Sequence, residues 1–136
     1  MGKRETGEEA VCRVGRDALS FLTEAGFATP SDIEGGLEYT GRGLRIAVYH
    51  YMWNVEVAVS AFVELTGEPL PARHRAEVGR LYAECGLGPP NHLPANAGNA
   101  RLTEVRVRAF ASALRELLPF LLGPDRDALI RRAAAR

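Results

Sequence analysis

Two sets of apolar residues in the stretch LRIAVYHYMWNVEVAVSAF, residues 44–62, and the residue that follows it leave this chain few ways to fold. Leu44, Ile46 and Val48 stand at even positions, whereas Val55, Val57, Val59, Ala61 and Val63 stand at odd ones. Such alternation marks half-buried strands, because successive side chains of a strand point to opposite faces of the sheet. One continuous strand is excluded, since at about 3.3 Å per residue it would run roughly 60 Å, several times a usual strand. The chain must fold back on itself. Only a turn with an even number of residues brings both apolar sets to one face.

Centred on Met52 and Trp53, the turn pairs His50 with Val55, Val48 with Val57, Ile46 with Val59 and Leu44 with Ala61 on the core side. The outer face then carries Tyr49 beside Glu56, Ala47 beside Ala58, and Arg45 beside Ser60. The same parity applied to Thr40–Gly43 sets Leu37 against Ile46, Tyr39 against Leu44, and Glu38 against Arg45. A three-stranded antiparallel meander is the expected sheet.

The flanks read as helices. Val11, Val14, Ala18, Phe21, Leu22 and Ala25 recur at three- and four-residue spacing behind a T-x-x-E capping box of Thr6 and Glu9, and Gly26 supplies the stop. The breakers in ATPSDIEGG make it a connector. Val78, Leu81, Tyr82 and Cys85 predict a second helix, with Arg73, Arg75 and Arg80 on its solvent side. A loop, GLGPPNHLPANAGN, leads to a third helix from about Thr103, which Pro119 should kink or end. A last short helix begins at Pro124, with Asp125 and Asp127 in its first turn and Arg131, Arg132 and Arg136 near its end, an order that suits the helix dipole. The expected fold is α+β, with one N-terminal helix and two to three C-terminal helices on the apolar face of the meander.

With 136 residues, 46% of them hydrophobic and 25% charged, the chain suits one globular domain over 1–136. No apolar run approaches the roughly 18 to 20 residues of a membrane span, and MGKRETGEEA has no apolar segment after its basic residues, so a cytoplasmic protein is expected. Cys12 and Cys85 belong to different helical patterns and read as free thiols. Eleven acidic residues face six basic ones up to Leu70, and six face eleven after it, so charge is unevenly spread although the net is zero.

No constellation names a reaction. His50, His74 and His92 fall on a strand end, a helix and a loop with no ligand spacing between them or to a cysteine, so neither a metal nor another cofactor is implied. The serines lack a nucleophile-elbow context and the glycine pairs lack a strand-to-helix phosphate loop. Arg73, Arg75, Arg80, Arg101, Arg106 and Arg108 come without a recognition motif, and the acidic first half would repel nucleic acid, which is therefore not the expected partner. What stands out is Tyr51, Met52 and Trp53 where a turn would favour glycine, asparagine or aspartate. Trp53 either folds back to complete the core or, with Tyr49 and Tyr51 and the outer-face Glu38 and Glu56, anchors a protein partner. A pocket between the sheet and the PPNHLPAN loop, with His50, Tyr82 and His92 first among its residues, is the enzymatic or small-molecule alternative.

A first helix ending in FLTEAGF, a meander carrying LEYTGRGLRIAVYHY and NVEVAVSAF, and terminal helices with ALRELLPFLLGPDRDALIRR resemble, in layout and texture, small uncharacterised bacterial proteins of the toxin-immunity type. The resemblance implies a non-enzymatic protein that binds and neutralises a cognate toxin. It carries no individual binding residue across.

Overall fold

The computed structural model describes residues 5–53, 56–67, 74–89 and 97–135, with the side chains of Trp53 and Glu56 left out. Its class is α+β: an antiparallel sheet in the order β1-β2-β3-β4-β5, with helices before and after it.

Helix α1 (Gly7–Ala18) begins at the expected box, where the Glu9 N–H donates to Thr6 Oγ1 at 3.1 Å and the Thr6 N–H to Glu9 Oε1 at 2.9 Å. The single helix expected up to Ala25 is instead interrupted at Leu19 and resumes as α2 (Ser20–Glu24). The break lets Leu19, Phe21 and Leu22 all be buried. Gly26 then ends the helix at φ 105°, and the Phe27 N–H returns to the Leu22 carbonyl at 3.0 Å.

Among the described residues the sheet has five strands, where three were expected. β1 (Ser31–Ile33) and β5 (Arg75–Glu77) flank β2 (Gly36–Gly41), β3 (Leu44–Trp53) and β4 (Glu56–Leu65). Three residues are too few to display alternation, so β1 is hidden in a breaker-rich connector and β5 merges with the start of the following helix. Arg75 consequently lies on a strand, and His74 precedes that strand, its carbonyl accepting the Leu65 N–H at 3.0 Å.

Face parity holds while register differs. Val48 pairs with Ala61, Ile46 with Val63, His50 with Val59 and Leu44 with Leu65, four residues along β4 from the expected partners. Met52 and Trp53 are therefore strand residues paired with Val57 and Glu56, and the connection falls on residues 54–55, outside the described residues. Likewise Leu37 pairs with Val48, Tyr39 with Ile46 and Glu38 with Ala47, two residues along from expectation. Both shifts are even, so every core residue keeps its face. Leu44, Ile46, Val48, Val59, Ala61 and Val63 are buried in one core with Val107, Phe110, Leu114, Leu117 and Ile130 of the later helices.

The β2–β3 turn has Arg42 at φ 54° and Gly43 at φ 76°, the paired positive angles of a two-residue hairpin turn. Arginine is a strained choice there, and its side chain supplies the compensation: Arg42 Nε donates to the Ala25 carbonyl at the end of α2 at 2.7 Å. Arg126 donates in turn to the Arg42 carbonyl, so the turn is clasped from both sides. Arg42→Ala, which keeps the strain and loses the bond, is expected to lower stability by about 1 to 2 kcal/mol in a urea melt. Arg42→Gly, which relieves the strain, should cost less.

Helix α3 (Val78–Glu84) follows β5 directly. Helix α4 (Ala100–Leu121) starts three residues before the expected point because Asn99 caps it, accepting the Leu102 N–H at 2.8 Å. Pro119 does not end α4 at its own position; the helix runs two residues past it to Leu121. Helix α5 (Arg126–Ala134) buries Ile130 and Ala133 and keeps Asp127 and Arg131 at the ends that suit its dipole.

Candidate functional site

The helices cover one face of the sheet, and on the other the side chains cover each other. Ala47, Ala58 and Phe62 are buried, yet they stand apart from the core that joins the inner face to the helices. At the base of this open face Arg45, Glu64 and Arg75 are direct cross-strand neighbours on β3, β4 and β5. Glu38 reaches Arg45 diagonally from β2, Arg45 Nη1 lies 3.6 Å from Glu64 Oε1, and Arg75 Nη2 lies 3.1 Å from Glu64 Oε2. The charges alternate, so the Glu64 side chain stays ionically paired at 5% exposure.

One row further up, Phe62 is 4% exposed because two guanidinium groups lie over it, Arg75 at 3.9 Å and Arg45 at 5.1 Å from the ring centre. Tyr49 meets its edge at 5.9 Å and Tyr51 stacks obliquely on Tyr49 at 5.6 Å. Both tyrosines remain partly exposed. Burial, then the neighbouring Tyr49 and Glu77, push the Tyr51 hydroxyl above its ordinary pKa.

Toward the hairpin end the sheet narrows. β2 stops opposite Tyr49 and β5 opposite Phe62, while β3 and β4 pair as far as Trp53 and Glu56. The two-stranded overhang outruns the helices on its inner side and leaves Met52 68% exposed. A cleft of about 560 Å³ is lined by Val57, the cross-strand partner of Met52, with His50, Glu5, Asn99, Arg101 and Thr103 among others. The Ala97 N–H donates to the Val57 carbonyl at 2.9 Å and so brings the start of α4 to this edge.

Tyr49, Tyr51 and Glu38 thus share the open face, although Glu38 is tied to Arg45. For Trp53 and Glu56 only the backbone pairing is described. Of the three residues expected to form a pocket, His50 lines the cleft. Tyr82 is not among the cleft residues; it donates to Glu116 at 2.7 Å, a bond that raises its pKa first, with burial second. His92, like Arg73, lies outside the described residues. The even-numbered run Ala58, Ser60, Phe62 and Glu64 carried the signal for Phe62, whereas Arg75 was obscured by its assignment to a helix.

Among the described basic residues, Arg75 and Arg108 lie on different elements. Arg75 is on the open sheet face, while Arg108 of α4 pairs with Asp17 and Glu104. Among the described residues no group of three His, Cys, Asp or Glu side chains is placed to hold a metal ion. Cys12 and Cys85 are free thiols, each pushed to higher pKa chiefly by burial. No described helix is long and apolar enough to cross a membrane. Comparison with protein-family models, curated proteins and solved structures returned no match.

Proposed function

We propose that this chain is a non-enzymatic protein-binding module of the bacterial toxin-immunity type, which presents the overhanging end of the β3–β4 hairpin to its partner. The observation that carries the reading is Met52, a large apolar side chain left 68% exposed where the hairpin outruns the helices, whose cross-strand partner Val57 lines a cleft. An unbranched, polarizable thioether adapts to a partner surface better than a branched aliphatic does. The half-buried Val57 lies opposite Met52 in the hairpin and lines the cleft. The layout resemblance supplies the class of partner, a toxin.

Growth protection tests it. Cells producing the toxin encoded beside this chain's own gene should grow when the chain is co-expressed and fail with Met52→Arg. The purified variant should lose at least about 30-fold in affinity, as expected for a hot-spot residue. Its urea melt should move by no more than about 0.5 kcal/mol, because Met52 has little packing to lose. Undiminished protection by Met52→Arg would remove the overhang from the binding surface.

The cleft itself favours a second reading, a small-molecule site, since its volume of about 560 Å³ suits a small ligand and His50, Asn99 and Arg101 bring polar groups to it. That reading predicts loss of ligand binding in His50→Ala with Met52→Arg unaffected.

A further inference from the structure

We infer that the cleft lined by His50 and Arg101 binds a small organic anion, whose carboxylate or phosphate group is held by those two side chains. The inference rests on the small-molecule reading of the cleft and adds to it the class of ligand; it needs nothing from Met52.

Two donors that line the cleft have no partner of their own among the described residues. Arg101 makes no hydrogen bond or ion pair there, whereas on the same helix Arg108 pairs with Asp17 and Glu104, and Arg115 lies over the Phe21 ring at 4.4 Å. His50, on the inner face of β3, likewise has no hydrogen-bond partner. No buried side-chain nitrogen or oxygen among the described residues is left unpartnered, so the imidazole nitrogens keep contact with solvent at the cleft. Asn99 adds a third donor, since its Oδ1 accepts the Leu102 N–H and its amide NH2 has no described acceptor.

Gly7 seats the imidazole. A Cβ at Gly7 would stand 2.2 Å from His50 Nε2 and 2.5 Å from two ring carbons, so the ring lies against the first residue of α1 in space that only glycine leaves open. Helix α1 therefore reaches the cleft by its N-terminus, and α4 does so with Ala100. The first helical bonds run from the Ala10 N–H to the Thr6 carbonyl and from the Thr103 N–H to the Asn99 carbonyl, and the caps take the N–H groups of Glu9 and Leu102. The N–H groups of Gly7, Glu8, Ala100 and Arg101 consequently have no helical acceptor. Two positive helix ends share one cavity, where they reinforce the Arg101 guanidinium.

Among the described residues the one carboxylate lining the cleft is Glu5, and Arg13 holds both its oxygens, at 2.8 and 3.0 Å. The charge of Glu5 is thus matched by its own partner, while that of Arg101 is not. Val57, Ala97 and Gly98 supply an apolar part of the lining. A charged head on a short apolar body, such as an aryl acid, matches that division, and a volume of about 560 Å³ admits it.

Amide NMR titration at constant ionic strength tests the inference with sodium benzoate and phenyl phosphate. At least one of them should shift the signals of Gly7, His50 and Arg101 saturably, with a Kd of about 1 mM or tighter, and the tighter of the two identifies the head group. Benzamide, which has the same shape without the charge, should bind at least about tenfold more weakly. Arg101→Gln should weaken the tighter anion about tenfold and His50→Gln about fivefold. The thermal melt of Arg101→Gln should not move, since an exposed side chain with no described partner has little to lose. Arg80→Gln, at an exposed position of α3, should leave binding unchanged. Equal affinity for benzoate and benzamide would overturn the anion and leave the small-molecule reading in place. No saturable shift from either anion by about 20 mM, or undiminished binding by Arg101→Gln, also overturns the inference.

Discussion

Gly36→Ala is expected to lower stability by about 3 kcal/mol or more, beyond the usual range for one added methyl group in a packed site. Gly36 pairs with Tyr49 in β3 and with Ile33 in β1, at the point where the chain turns from one strand into the next. A Cβ there would stand 2.0 Å from the Val48 carbonyl oxygen and 2.8 Å from the Tyr49 Cα. Both obstacles are backbone of the central strand, so no side-chain rotation relieves them, and β2 would have to move away from β3. That movement would loosen Leu37 and Tyr39, which belong to the buried face of β2. Gly67→Ala is the control, since a Cβ at Gly67 meets nothing within 4 Å, and its urea melt should stay within about 0.5 kcal/mol of wild type. Equal melts for the two variants would show that β2 tolerates displacement.

Leu114→Ala is expected to cost about 2 to 5 kcal/mol, the range for emptying a fully buried leucine site. Leu114 is completely buried in the middle of α4, in the same core as Ile46 and Val63 of the sheet. Its removal leaves a cavity between a long helix and a sheet that cannot both relax to fill it. Against a total stability of about 5 to 15 kcal/mol, the melting temperature should fall by roughly 6 to 15 °C. On the same helix Val105 is 48% exposed, and Val105→Ala should change little, because it exchanges a solvent-facing branched side chain for a better helix former. A scanning calorimeter distinguishes the two. A small loss in Leu114→Ala would mean that α4 is not packed against the sheet as described.

Side-chain alternation was legible because it is local. Leu44, Ile46 and Val48, and Val57, Val59 and Ala61, declare their face by position alone, and all but the half-buried Val57 are buried there. The helix start at Thr6 and the stop at Gly26 were legible for the same reason: both are set by hydrogen bonds within one turn of the residue concerned. The elements that escaped are those whose identity depends on a distant partner. β1 and β5 are strands because β2 and β4 lie beside them, and three residues carry no periodicity of their own.

The open-face site divides along the same line. Tyr49 could be assigned to the outer face by parity, whereas Tyr51, expected in the turn, joins that face because β3 runs on to Trp53, and Phe62 becomes dry only when Arg75 arrives from a strand thirteen residues further along the chain. Glu38 and Arg45 find each other by a diagonal approach, a direct pairing having been excluded by the register. The exposure of Met52 is likewise a tertiary fact, since it follows from where β2, β5 and the helices stop.

What this amino-acid sequence determined by itself was the set of faces: which residues of each strand and helix must leave water, and hence an α+β chain with an even-numbered turn between its two long strands. A strand slipped by two or four residues keeps every side chain on the same face, so parity carries no information about register. Register, the overhang and the coverage of Phe62 were decided only when the β3–β4 connection, the clasp of Arg42 between α2 and α5, and the helices over the inner face were satisfied together. Those contacts join residues far apart in the chain, and their geometry exists only in the assembled fold.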